Sequence, residues 1–369
     1  MTPAWMRLAD ESAAPSPALL VFPDRIEENL RRMIALAGGA ERLRPHLKTH
    51  KLPQLIALQA RLGITRCKAA TIAEAEMAAG AGAIDITLST QPVGPHAARL
   101  VALIRAFPAV AFSTIVDDPG AVDALARVAA AAGVVVEVLV DLDVGMARTG
   151  IAPGPDAAQL YRRIAAAPSL RAGGLHAYDG HLRQPVLADR IAAAAEGIAR
   201  VDALAATLRA EGLPVPRLVW GGTPTFPVHA RRAGVECSPG TCVLWDAGYE
   251  RNIPDLEFLH AAVLLTRVIS RPGAGRLCLD LGHKAVASEM PQPRVVFPEL
   301  PDARAVTHSE EHLVIETAAA DTFPVGSVLY GIPWHICPTV ALHDRVLVVR
   351  EGRVAETWTV TARARRLGV

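Results

Sequence analysis

An α/β plus β architecture, a (β/α)8 barrel followed by a C-terminal antiparallel β domain, is what this sequence predicts. Between about residues 18 and 248, strand-like and helix-like segments alternate at a spacing of about 30 residues. After Tyr249 the helical period fades, and short Val-, Leu- and Thr-rich runs punctuated by Pro and Gly take over. No GxGxxG follows the first strand, which leaves a dinucleotide-binding sheet with little support. An open doubly wound sheet still fits the alternation. The expected division is an N-terminal segment (1–17) joining the β domain, a barrel (18–248) and a β domain (249–369).

The elements follow in order. Asp24 with Glu27 reads as a capping box before an apolar stripe of Ile26, Leu30, Met33 and Ile34, and Gly38-Gly39 ends that helix. Eight barrel strands are expected, at 43–48, 66–70, 84–89, 111–116, 135–142, 173–177, 218–221 and 235–239. Ala-rich helices lie between them, one opened by Thr71 and Glu74. In the second region, strands are expected at 261–270, 276–281, 312–316, 326–330 and 345–349.

Bulk properties narrow the function classes. The 369 residues are 51% hydrophobic with a formal net charge of +1, and no basic stripe of a nucleic-acid binder is present. The longest apolar run, 128–140, contains Glu137 and falls short of the roughly 18 residues of a membrane span. Acidic residues at 10 and 11 speak against a signal peptide. The five cysteines form no CxxC pair and fit a reducing compartment, so a cytoplasmic protein is expected.

The run Arg44-Pro-His-Leu-Lys-Thr-His-Lys51 carries the chemistry. At a strand period of two, Arg44, His46, Lys48 and His50 share one face. Buried cations need partners, so such a face suits a site for an anion or an electrophile. Cationic neighbours also favour a neutral lysine amine, the form that attacks a carbonyl. An exposed edge strand with basic decoration is the competing reading of this segment alone.

Other strand ends carry Asp141-Leu-Asp-Val-Gly-Met-Ala-Arg148 and His176-Ala-Tyr-Asp-Gly-His181. The last two barrel strands lead into Gly221-Gly-Thr-Pro-Thr225 and Ser238-Pro-Gly-Thr241, small hydroxyl-bearing loops where barrels commonly hold phosphate. With an imine-forming lysine at position 48, these loops point to pyridoxal phosphate. In the β domain, His335-Ile-Cys337 offers an imidazole and a thiol on one side of an extended segment, both good zinc ligands. A buried Cys beside a satisfied His is the alternative. Ser309-Glu-Glu-His312 adds acid and imidazole groups nearby in sequence. His96, His229 and His260 read as surface or capping groups, and Cys67, Cys242 and Cys278 as buried thiols without a role.

Taken together, the Arg44–Lys51 run, the Gly222-Thr-Pro-Thr225 loop, Ser309-Glu-Glu-His312 and the Pro-x-His-x-Cys loop resemble the fold-type III pyridoxal phosphate enzymes that include D-threonine aldolase and D-serine dehydratase. The likeness runs along almost the whole chain and implies an alanine-racemase-like barrel followed by a dehydratase-type β domain. By this resemblance Lys48, preceded by His46, carries the cofactor, and Arg148 approaches its phenolic oxygen. Tyr178 lies beside the reacting carbon. Gly222, Thr223, Gly240 and Thr241 hold the phosphate, and His335 with Cys337 binds a divalent metal, zinc or manganese. The substrate class is D-3-hydroxy amino acids, and the assembly a homodimer.

Retro-aldol cleavage and loss of the β-hydroxyl are the two outcomes of this chemistry. His-x-Cys resembles the dehydratases, whereas the flanks Pro338-Thr-Val and Leu342-His-Asp344 resemble the aldolases. Where the aldolase pattern has a histidine after the tyrosine, this chain has Asp179, with His181 two positions later. Both stand as catalytic candidates. An amino-acid racemase and a cofactor carrier are more distant alternatives.

Overall fold

The structure, a computed structural model, describes residues 2–369, so Met1 of the expected N-terminal segment lies outside the described residues. The chain forms two compact units. One comprises the N-terminal residues through Leu30 together with 49–52 and 241–363; the other comprises 31–48, 53–240 and 364–369.

Strand β1 (Ala18–Val21) belongs to the first of these units, although it falls inside the range expected for the barrel. The second unit holds β2 (Arg66–Ala69), β3 (Asp85–Leu88), β4 (Ala111–Val116), β5 (Val136–Leu142), β6 (Leu170–Ala177), β7 (Leu218–Trp220) and β8 (Val235–Cys237). All pair in sequence order and in parallel. The segment around 43–48 closes the curl. Leu43 bridges Cys237, His46 bridges Lys68, and Lys68 N–H donates to Pro45 O at 2.9 Å. A full strand was expected here, but Leu47–Thr49 is a 3-10 turn and the period of two ends at Leu47. Pro45, with no N–H to give a ladder, is one reason only isolated bridges form.

Helices cover the outer face of this sheet. Thr71 caps the helix Ile72–Gly80 by accepting from Glu74 N–H at 3.1 Å, and the Glu74 carboxylate returns to Ala70 N–H at 2.6 Å. That is the expected capping box with its return bond one residue earlier. The first helix begins at Pro23, so Asp24 sits in its first turn and not at its cap. Gly38 adopts φ +79, and both Gly38 and Gly39 N–H return to Ile34 O, the left-handed stop that glycine permits.

The other unit is a mixed sheet: β9 (Ala262–Ser270), β10 (Arg276–Leu279), β11 (Val295–Val296), β12 (Arg304–His308), β13 (Leu313–Glu316), β14 (Val328–Pro333), β15 (Arg345–Arg350) and β16 (Arg353–Thr359), with β1 in its middle. β1 pairs antiparallel with β9 and parallel with β15, among the described residues the one parallel ladder in an otherwise antiparallel sheet. Tyr330 anchors the N-terminal segment within this unit, its hydroxyl accepting from Leu8 N–H at 3.0 Å. No described helix is long and apolar enough to cross a membrane.

Candidate active site

Within the barrel unit the lumen is layered. At its base Arg44 is fully buried; its fork donates to both oxygens of Asp85 at 2.8 Å, and its Nε donates to Glu236 at 2.6 Å. These bonds compensate the burial of a cation. Arg44 therefore serves the barrel base and does not line the cavity above, which corrects the shared-face expectation. His50 leaves that face too. It belongs to the other unit, where its Nδ1 accepts from Leu52 N–H at 3.1 Å and burial pushes it down to about 3, so it stays neutral.

Above that base lies a cavity of about 380 Å³ lined by His46, Lys48, Lys68, Arg148, His176 and Tyr178 among others. Lys48 sits in the first turn after the barrel-closing segment, and its N–H donates to His46 Nδ1 at 3.4 Å. His46 Nε2 meets Ser89 Oγ at 3.2 Å, which holds the ring from its other side. Arg148 lies with its guanidinium 5.0 Å from the Tyr178 ring centroid, on a loop folded by Asp143 accepting from Gly145 and Ala147 N–H.

Two glycines clasp Tyr178. A Cβ at Gly180 would come within 2.0 Å of the phenol oxygen, and one at Gly222 within 2.8 Å of the ring. Any side chain at either position displaces the ring, so these two glycines place it.

Among the expected phosphate-loop residues, Thr223 Oγ1 accepts from Gly240 N–H at 3.2 Å and ties the loop after β7 to that after β8. Ser238 Oγ is buried and, among the described residues, has no partner. An orphaned hydroxyl beside two glycine-rich loops fits an acceptor-rich group such as phosphate. Thr241 belongs to the other unit, its hydroxyl 3.5 Å from Cys337 Sγ.

Asp179 is buried behind this loop, accepting from Thr225 Oγ1 and from His229 Nε2 at 2.7 Å. Both oxygens are thus engaged. His229, expected as a surface or capping group, is fully buried and stacked on Trp220 at 4.6 Å. His260 is buried as well, 3.7 Å from Glu250. For His229 the partner carboxylate lies 50 residues away and leaves no local pattern in the sequence. His181 is exposed, its ring against Gly145.

Sequence reasoning missed Lys68. It is 2% exposed, and its Nζ lies 3.2 Å from His176 Nε2; His176 Nδ1 lies 2.6 Å from Asp141. Burial first, then the charge of Lys48, brings Lys68 down to about 7. The available signal was its place near the carboxyl end of a barrel strand.

In the β unit, His335 and Cys337 stand at a strand-to-helix turn, Cys337 inside the helix Ile336–Leu342, where an extended segment was expected. His335 Nδ1 bonds the carboxylate of Glu289, a residue the sequence reading passed over. Asp246 accepts from Ile336 N–H at 3.0 Å and pins the turn. Thr49, which follows Lys48 in the chain, lies with its hydroxyl 3.2 Å from Cys337 Sγ. Burial opposes the thiolate, but the bond and charge of His335, then the Thr241 and Thr49 hydroxyls, lower the thiol below its usual range. Burial likewise opposes charge on His335, yet Cys337 and then Glu289 raise it to about 9. An imidazole oriented by a carboxylate beside a thiolate-prone cysteine is suitable donor chemistry for zinc. Among the described residues no group of three or more His, Cys, Asp or Glu is arranged to hold a metal.

A barrel cavity with an amine at a strand end, phosphate-type loops and a second unit with soft donors defines a pyridoxal-phosphate-type lyase. Comparison agrees. Residues 21–246 match the alanine racemase N-terminal domain, and residues 261–349 match a serine dehydratase domain. The chain is 31% identical to a D-threonine aldolase from Arthrobacter sp over 94% of this chain and 92% of that one. It is 27% identical to a D-threo-3-hydroxyaspartate dehydratase from Delftia sp. over 93% and 96%. The crystal structure of a D-threonine aldolase from Filomicrobium marinum superimposes with a TM-score of 0.89 at 31% identity, covering 98% and 99% of the two chains. This chain belongs to the alanine-racemase-like family of pyridoxal-phosphate-dependent lyases that includes the D-threonine and hydroxyaspartate enzymes.

Proposed function

We propose that the protein is a pyridoxal-phosphate- and divalent-metal-dependent lyase of D-3-hydroxy amino acids, of the D-threonine aldolase type, releasing glycine and an aldehyde. The observation that carries this reading is the single cavity lined by Lys48, Arg148 and Tyr178. When bound, the cofactor supplies an electron sink for breaking a bond at Cα, and a divalent metal at His335 and Cys337 supplies a Lewis acid for the β-hydroxyl.

The chain's own residues do the rest. Lys48 would hold the cofactor through its aldehyde, next to a His46 ring held by Ser89. Arg148 and Lys68 give the cavity the positive charge that suits an anionic ligand. Tyr178, clasped by Gly180 and Gly222, orients the bound molecule. Gly222, Thr223 and Gly240 with Ser238 cradle the phosphate, and Thr241 braces Cys337. With Asp179 committed to Thr225 and His229, His181 is the residue of that run left to take the hydroxyl proton. Residues 18–248 would serve the cofactor and 249–369 the metal, in a cytoplasmic homodimer. That the aldolase relatives reach 31% and 30% identity, against 27% for the dehydratase, supports the aldolase outcome.

Cys337 in a His-x-Cys pair with a lowered thiol favours a second reading, a dehydratase giving a 2-oxo acid and ammonia. The two separate in one experiment. Protein loaded with cofactor and zinc or manganese is incubated with D-threonine and with D-serine. Glycine with acetaldehyde supports the aldolase, and a 2-oxo acid with ammonia the dehydratase. No turnover of either substrate overturns both.

A further inference from the structure

The cavity holds a second amine for which the proposed chemistry has given no individual task. Lys68 projects from β2 and meets His176 of β6, so its side chain crosses the barrel lumen at the level of the cavity wall. From its other nitrogen His176 is bonded to Asp141 on the neighbouring β5. We propose that Lys68 is a positioning residue for the cofactor pocket, clamping His176 in one tautomer and one ring orientation as a fixed wall beside Lys48.

The bonding dictates the tautomer. Asp141 accepts from Nδ1–H, which leaves Nε2 as a lone pair for Lys68 Nζ–H. An imidazole held at both nitrogens cannot flip without presenting C–H to a buried carboxylate and to a buried amine, and both would lose their partner. Nor is it placed to exchange protons with a ligand. Burial, then the Lys68 charge, opposes its protonation more strongly than Asp141 favours it. The wall role therefore suits it better than acid–base work.

Charged groups facing Lys68 are Lys48 and Arg44 from the barrel-closing segment, Arg148 from the loop after β5, Asp141 from β5 and His176 from β6. Its β3 neighbour is the uncharged Thr87, bonded in turn to Ser113 of β4. With its amine brought to about 7, Lys68 changes charge near neutral pH, but an ammonium and an amine both donate to Nε2. The clamp survives either state.

The inference rests on the proposed cofactor reading, and its test separates the two. Full-length protein loaded with pyridoxal phosphate is examined by absorbance and by visible circular dichroism, which reports how the chromophore is held. Lys68→Met is expected to keep the absorbance band, because Lys48 still reacts, and to lose at least about half of the induced ellipticity. Lys68→Arg, which keeps a donor, retains most of it. Unchanged ellipticity in a folded Lys68→Met protein overturns the clamp. Should that variant not fold, nitrogen NMR of histidine-labelled wild-type protein decides. The expected result is a neutral Nδ1–H tautomer at His176 from pH 5 to 9 (roughly the range over which an ordinary imidazole titrates), and an Nε2–H tautomer or a titrating ring overturns it. Wild-type protein that takes up no chromophore sinks the cofactor reading, while the tautomer still tests the Lys68–His176 bond.

Discussion

The barrel cavity and the β-unit turn bring reactive side chains together by different means. In the barrel, Lys48, Lys68, Arg148 and His176 come from strand ends or the turns just beyond them, and neighbouring strands buffer their charges. Lys68 reaches His176 across the lumen, and Arg44 below is matched by Asp85 and Glu236. In the β unit, His335 and Cys337 share one turn, and each is held by residues far away in sequence: Glu289, Asp246, Thr49 and Thr241. A closed sheet can hold several like charges in one space because its backbone is already fixed. A turn needs individual tethers, and losing one frees the side chain it holds.

The largest effect distinguishes the two amines of the barrel. Lys48→Ala should lower aldehyde release from D-threonine by on the order of 10⁴-fold or more, the scale of losing a covalent group. Lys68→Met should leave covalent cofactor attachment intact, as borohydride trapping would show. Equal loss of attachment in both would erase the distinction between a covalent amine and a positioning one.

Next in size is the barrel base. Asp85→Ala leaves the fully buried Arg44 with only Glu236 as a carboxylate partner, and a loss of about 3–5 kcal/mol is expected in urea unfolding. A loss under about 1 kcal/mol would mean that the buried ion network does not brace the barrel.

The β-unit turn is tested by a milder change. Glu289→Gln removes the carboxylate that orients His335, and zinc affinity measured by calorimetry should fall about 10–100-fold. Unaltered affinity would show that the turn holds its ligands without that tether.

Features complete within a few residues stand out in the sequence, and those assembled from distant residues do not. The basic run Arg44–Lys51 and the HxC pair announce themselves within eight residues. The Thr71 box is likewise complete in itself, and its bonds are in the structure. Lys68 and Glu289 carry no such signal, since each gains its meaning from a partner on another strand or in a remote coil. Strands β12 and β16 escaped notice because Arg304–His308 and Arg353–Thr359 are mostly exposed, with no run of buried apolar residues to betray them. Period-two reading of 44–50 overran by four residues, because backbone pairing ends where the 3-10 turn begins.

The smallest effect is a slope. Unfolded Lys68 binds its proton from the ordinary lysine value of 10.5 downward, whereas the folded protein does so only from about 7. Between those values the unfolded state carries more protons, so stability rises with pH by up to about 1.4 kcal/mol per unit from this group. Urea unfolding at several pH values between 7 and 10 should show that increment lost in Lys68→Met. An identical slope in the two proteins would place the titration elsewhere.

One measurement reaches the centre of the account. Protein soaked in pyridoxal phosphate is reduced with borohydride, digested, and the modified peptide located by mass spectrometry. The label is expected on Lys48, after a visible band near roughly 420 nm has formed and been bleached. A label on Lys68, or no label at all, contradicts it.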